Sequence, residues 1–340
     1  MLYVEEEIQN HPRTLQIRSR FPDDEVIPCA RYGEVFNRRA QSFRLQKRRP
    51  SLILAKKHRN FVLDTPPGFG IPGTKGLYFS HMHNCIYDCR YCFLQGMYRS
   101  ANYVVFVNFE DFLWEIEAKI RAHASDPGPA GPAILPLYFD SGYDCDSLAL
   151  EPVTRFAATF VPFFARFPDV TLELRTKSTQ IKSLLDLEDA VPNVVAAWSF
   201  TPEEVAEVTE HLTPSVDRRL RAMSRLAERG WRLGLRFDPL LYDRRYRERY
   251  RNLFKQVFST LPAASLHSVS LGPFRLSEGA FKTVARLYPE EPLFAAPLVE
   301  AGGEVTYPRE IEAEMVATVT ADLLSHIPRE IFIPTLSTPP

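Results

Sequence analysis

From Lys75 onward the chain alternates short β-branched and aromatic runs with amphipathic helical stretches. That rhythm limits the fold more than any other feature. Strands that alternate with helices of 10–15 residues build βαβ units, and such units make a parallel sheet, open or closed. GLYFSHM reads as a strand. VVFVN (104–108) reads as the next, with Asn108 placed to cap the helix FEDFLWEIEAKIRAHA, where Phe109, Phe112, Leu113, Ile116 and Ile120 fall on one face. ILPLYFD (134–140) is followed by a helix over 152–167, VTLELRT (170–176) by one around 181–187, and VVAAWSF (194–200) by one that Thr213 and Pro214 should open and Gly230 close. RLGLRFDPL (232–240), a helix over 246–261, SVSLGPF (268–274) and a helix over 278–288 complete the series. DPGPAGP (126–132) and PEEP (289–292) read as loops.

Residues 1–74 break the rhythm. They read as short strands and one helix, with a basic run over 44–59, in an N-terminal extension packed on a barrel spanning 75–307. A helix and a short strand, IFIPT, make up 308–340. With 340 residues and 45% hydrophobic content, the chain can fill one large domain, or a large and a small one. Its net charge of −1 gives no global field for a polyanion, so any nucleic-acid site must be local. No run of 18 apolar residues suggests a membrane helix, and the N-terminus has no signal-peptide core.

The five cysteines are Cys29, Cys85, Cys89, Cys92 and Cys145, and three of them lie within eight residues. An odd, clustered set reads as metal ligation in a reducing compartment, which points to the cytoplasm rather than to a disulfide framework. Cys85, Cys89 and Cys92 are spaced C-x3-C-x2-C on a loop after the first strand of the series. Three thiolates hold three irons of a [4Fe–4S] cubane and leave the fourth iron without a protein ligand. An open iron can chelate S-adenosylmethionine, whose reductive cleavage gives a 5′-deoxyadenosyl radical. The competing reading is a zinc-stabilised nucleic-acid-binding protein, with His81, His83 or Cys29 as the fourth ligand.

Residues 84–112, 139–154, 172–178 and 198–223 together resemble spore photoproduct lyase, a family of the radical S-adenosylmethionine superfamily. The shared features are the cysteine loop with C-F-L-Q after it, FDSGYDCDSLALEPVT, LELRTKS, and an S-F…E…T-P…R pattern. The resemblance implies a partial (β/α)6 TIM-type barrel with an N-terminal α+β extension. It implies a radical lyase that repairs a thymine-dimer lesion in DNA, with a flavodoxin- or ferredoxin-type electron donor. It implies Cys85, Cys89 and Cys92 as cluster ligands, Lys177 on the carboxylate of S-adenosylmethionine and Ser199 on its ribose. Tyr91 and Phe93 would line the adenine and cluster side, while Asp140, apart from the resemblance, would either meet the cofactor's amino group or cap a helix.

Three positions depart from the family, one of them Phe93, where the family has a tyrosine just after the last cluster cysteine. The family's hydrogen-donor cysteine aligns with Tyr143, and its cofactor-contacting serine aligns with Cys145. Either Tyr143 or Cys145 would return the hydrogen atom, or the substrate is a different nucleotide. Asp144 and Asp146 share this loop, either as cofactor contacts or as helix caps. The basic run over 44–59 and DRRYRERYR (243–251), with Tyr242, Tyr246 and Tyr250, offer phosphate contacts and stacking surfaces for a splayed base, or else form solvated faces.

Overall fold

The computed structural model describes residues 1–66, 70–125 and 135–334, in two compact units. The 126–132 loop and Thr335 therefore lie outside the described residues.

The first unit comprises Met1–Ile86, Tyr98–Leu174 and Val191–Val194. It holds a five-stranded sheet in which Leu2–Glu5 runs parallel between Val26–Cys29 and Leu52–Ala55. Leu52–Ala55 pairs in parallel with Tyr103–Phe106, and Met82–His83 closes the edge antiparallel. The VVFVN run thus joins the N-terminal sheet, and GLYFSHM divides into Lys75–Phe79 and Met82–His83 in different sheets. A run buried on both faces reads the same in either sheet, so periodicity could not choose between them.

A second set of strands in this unit places Lys75–Phe79 beside Leu137–Ser141, and Leu137–Ser141 beside residues 170–174, all parallel. Asn108 does not cap the helix Phe109–Ser125 through its side-chain oxygen. Its Oδ1 accepts from Lys57 N at 2.9 Å and its Nδ2 donates to Lys57 O at 2.8 Å. The helix expected over 152–167 is two, Glu151–Thr154 and Phe156–Phe164, broken at Arg155 with φ 52°. Phe79 stacks on Phe160 at 5.2 Å, and Phe109 meets Phe160 edge-on at the same distance. Such aromatic contacts add about 0.5–1.5 kcal/mol each beyond simple burial.

The second unit comprises Tyr87–Met97, Arg175–Ala190 and Val195–Pro340. Val194–Ser199, Arg232–Leu240, Leu266–Pro273 and Phe332–Pro334 pair successively in parallel. At Gly234 an added Cβ would lie 2.7 Å from Ala197 Cβ, so the close approach of these strands needs glycine. The helix Val216–Ala227 starts slightly later than expected, because Ser215 accepts from Arg218 N while Thr213 is used elsewhere. Arg275–Ser277, Glu304–Thr306 and Val299–Ala301 form an antiparallel ribbon that the βα alternation did not announce.

Candidate active site

In the second unit the cysteine loop is pinned by its backbone. Asp88–Cys89 pairs antiparallel with Glu210–His211, and Arg90 N donates to Thr209 O at 2.8 Å. Cys92 N then donates to Cys89 O at 3.1 Å and Gln95 N to Cys92 O at 3.0 Å, two successive tight turns. The antiparallel pairing brings Glu210 to the cysteine loop, where its carboxylate becomes the hub of a buried polar group.

Glu210 is fully buried. Its carboxylate accepts hydrogen bonds from Tyr91 Oη, Thr201 Oγ1 and Arg219 Nη2, and Lys177 Nζ stands 3.7 Å away. Burial pushes this carboxyl up, but Lys177, Arg219 and the two hydroxyls outweigh it and hold it at about 2. Arg219 is also fully buried. It donates to Pro214 O at 2.8 Å, Ser199 O at 3.1 Å and Thr213 Oγ1 at 2.8 Å. Lys177 follows the strand Val170–Thr176 directly, and its ammonium lies 5.6 Å above the Tyr91 ring. The backbone after it is held by Ser178 N donating to Thr176 Oγ1 and Trp198 Nε1 donating to Ser178 O.

Lys177 and Arg219 both face the Glu210 carboxylate, and Lys177 also acts on Asp238. Tyr91, Lys177 and Ser199, singled out in the sequence, are thus gathered around Glu210. Phe93 is half-buried in the same unit. Glu210, Arg219 and Thr201 received no role from sequence. Their only signal was the E…T-P…R pattern, because their partners are strand ends that sequence does not bring together.

In the first unit, Cys85 is half-buried and its carbonyl accepts from Lys47 Nζ at 3.1 Å. Asp140 stands on the strand Leu137–Ser141, and the loop after it turns at Gly142, φ 83°, where a Cβ would lie 2.5 Å from Ser147 Oγ. That turn presents Tyr143, half-buried, with its ring 4.5 Å from the Tyr78 ring. Burial and the nearby Asp144 raise the Tyr143 phenol, so it keeps its proton at neutral pH. Cys145 is instead buried, one member of the core cluster that also holds Leu54, Met82, Val105 and Val107. Burial first, then Cys85 and the neighbouring aspartates, raise its thiol well above the ordinary value.

Asp146 acts as a cap, accepting from Leu148 N and Ala149 N at 3.0 and 2.9 Å. Asp144 lies 3.6 Å from His83 Nδ1, which is 3.1 Å from Tyr98 Oη.

The zinc reading finds little support. His81 stacks on Phe156 at 3.9 Å inside the aromatic core, and burial drives its imidazole down to about 3. Cys29 is a buried member of the N-terminal sheet. Among the described residues no cysteine is in a disulfide, and no three or more His, Cys, Asp or Glu side chains converge as an ion site. A cubane does not ask for convergence on one atom, since each thiolate serves its own iron. The donor set therefore fits a cluster better than a single ion.

The tyrosine-rich helix Tyr246–Thr260 is structural. Tyr250 is buried, with its oxygen accepting from Leu241 N, and Tyr246 packs on Tyr242. Its arginines pair with acids: Arg245 with Glu248, Arg247 with Glu314, Arg249 with Asp243 and Arg251 with Asp322. The expected base-stacking role for this segment is withdrawn.

The family model for spore photoproduct lyase matches residues 78–295 of this chain. Spore photoproduct lyase of Bacillus subtilis (strain 168) is 22% identical over 302 residues, covering 86% of this chain and 83% of the relative. The enzyme of Geobacillus sp. (strain Y412MC61) is 25% identical over 215 residues, 62% of this chain and 59% of the relative. Among solved structures, a double variant of spore photoproduct lyase with bound AdoMet and dinucleoside spore photoproduct matches with a TM-score of 0.81 and 18% identity. The match covers 99% of this chain and 98% of that one. Spore photoproduct lyase complexed with the dinucleoside spore photoproduct matches at 0.79 over the same shares, also at 18% identity. These likenesses show the fold, an α/β partial barrel.

Proposed function

This chain belongs to the spore photoproduct lyase family, and on that premise we propose that it is a radical S-adenosylmethionine lyase that repairs a thymine-dimer lesion in DNA. When bound, a [4Fe–4S] cluster and S-adenosylmethionine supply a 5′-deoxyadenosyl radical that abstracts hydrogen from the lesion. Cys85, Cys89 and Cys92 would hold three irons. Lys177, poised beside Glu210, would receive the carboxylate of S-adenosylmethionine, and Ser199, whose carbonyl is fixed by Arg219, would meet the ribose. Tyr91 and Phe93 would line the cofactor, and Asp140 would take its amino group.

The observation that carries this reading is the buried Lys177–Glu210–Arg219 group. Through one carboxylate it joins Lys177 and Arg219 to Tyr91, which stands between Cys89 and Cys92. Burial also separates the two candidate hydrogen donors. The Cys145 thiol is buried, whereas Tyr143 stands half-buried on Tyr78. We assign the returned hydrogen atom to Tyr143 Oη.

Among the described residues no helix is long and apolar enough to cross a membrane. The cytoplasmic location and a flavodoxin- or ferredoxin-type donor belong to this proposal. The test is anaerobic incubation with S-adenosylmethionine, dithionite and dinucleoside spore photoproduct. The reading expects 5′-deoxyadenosine and regenerated thymine. 5′-Deoxyadenosine without thymine would favour the second reading, a radical enzyme for another nucleotide, which the loss of the family's donor cysteine at Tyr143 motivates.

A further inference from the structure

Part of the surface charge of this protein is paired with acids. Besides the helix over 246–260, Arg121 pairs with Glu117, Lys182 with Asp186, Arg221 with Asp217 and Lys282 with Glu278. One segment stands apart in composition. From Val35 to Leu63 there is no aspartate or glutamate, while nine lysines and arginines fall in 29 residues. The segment carries +9 and the rest of the chain −10, so a nearly neutral protein is strongly polarised.

The side chains divide the labour. Neutral and internal groups fasten the segment. Asn37 Oδ1 accepts from Arg99 N at 2.7 Å, and Gln46 Oε1 accepts from Ala101 N at 3.0 Å and Ser100 Oγ at 3.2 Å. Lys47 donates to the Cys85 carbonyl. Lys56 pairs with Glu7, and Lys57 lies 5.0 Å from the Phe106 ring centre. Arg38, Arg39, Arg48 and Arg49, by contrast, are exposed and make no ion pair among the described residues. The fastenings also fix the location, since the short helix Phe43–Arg48 is tied to Cys85 before the cluster loop and to Ser100–Ala101 after it. The basic surface is thus built, within the first unit, beside Cys85 and Ser100–Ala101.

We infer that this arginine surface, centred on Arg38, Arg39, Arg48 and Arg49, binds the phosphodiester backbone of duplex DNA flanking the lesion. The inference rests on the reading proposed above. Guanidinium groups suit phosphate because their planar fork donates two hydrogen bonds at once. Several unpaired arginines displace condensed counterions from a duplex whatever its sequence. Leu45 is the one large apolar side chain strongly exposed over residues 37–49, which argues against a membrane face.

The test measures binding of a lesion-free 20-base-pair duplex by fluorescence anisotropy between 50 and 200 mM salt. The parent is compared with the triple variant Arg38→Gln/Arg48→Gln/Arg49→Gln. Each lost phosphate contact lowers the salt slope by about 1, so the triple variant should lose about 3. Parent and variant affinities should then converge by about 60-fold across that range. A control triple, Arg218→Gln/Arg221→Gln/Arg225→Gln, alters three exposed arginines of the helix Val216–Ala227 and should leave the slope where it was. Circular dichroism checks the fold, and if the triple variant is not folded, Arg48→Gln/Arg49→Gln should lose about 2 of slope. An unchanged slope, or an equal loss in the control, overturns the inference. Turnover of the dinucleoside lesion, which has no flanking backbone, is read separately. Its failure with a normal slope effect would sink the proposed function and spare this surface. Its success with an unmoved slope would sink this surface alone.

Discussion

Replacing Glu210 by glutamine should destabilise the second unit by about 3 kcal/mol. Glutamine keeps the shape and can still accept hydrogen bonds, but it removes the negative charge that Arg219 and Lys177 face in a water-free setting. The folded carboxyl stands at about 2 against an ordinary 4.5. At about 1.36 kcal/mol per unit this shift is worth about 3 kcal/mol, in line with about 3–5 kcal/mol for breaking a buried ion pair from one side. The sign is that of a depressed acid. The stabilisation is fully present above pH 4.5 and is lost as pH falls toward 2. Urea denaturation of Glu210→Gln, Arg219→Met and the double variant measures the coupling directly. The double variant should be far less destabilised than the two single effects summed, since it leaves no arginine charge stranded. A single-variant effect below about 0.5 kcal/mol, or additive effects in the cycle, would refute the view that Glu210 is held ionised by its neighbours.

His81 gives the opposite kind of titration. Its imidazole, pushed down to about 3 by burial, stays neutral in the fold while the unfolded chain protonates near 6.5. Stability relative to His81→Phe should therefore fall by about 1.4 kcal/mol per pH unit below 6.5, and parallel pH profiles would contradict this. Tyr143→Phe should keep 5′-deoxyadenosine formation but lose thymine regeneration, measured by chromatography of the products. Cys145→Ala should keep both products and lower stability by about 1 kcal/mol through the vacated apolar volume; the reverse pattern would reassign the donor.

Much of the barrel is legible in the sequence because strand and helix periods differ and each helix announces its buried stripe. Phe109, Phe112, Ile116 and Ile120 are buried as the spacing required. The errors have physical causes. Tyr103–Phe106 went to the N-terminal sheet because an all-buried run carries no mark of its partner. Ser215 displaced Thr213 as a cap because Thr213 serves the buried Arg219. The tyrosines near 246 resembled a stacking surface because a half-apolar, half-polar ring suits a core edge as well as a base. In the site, the cysteine loop could be recognised by spacing, and Lys177 through the family resemblance. Glu210 could not, since its partners at 91, 177, 201 and 219 meet only after a two-residue antiparallel pairing forms.

Iron and acid-labile sulfide per chain, after oxygen-free assembly, test the central claim most directly. About four of each are expected in the parent, falling sharply when any one of Cys85, Cys89 or Cys92 becomes alanine and holding steady for Cys29→Ala. A colourless parent, or one that takes up zinc without sulfide and loses it no faster in the cysteine variants, would contradict the account.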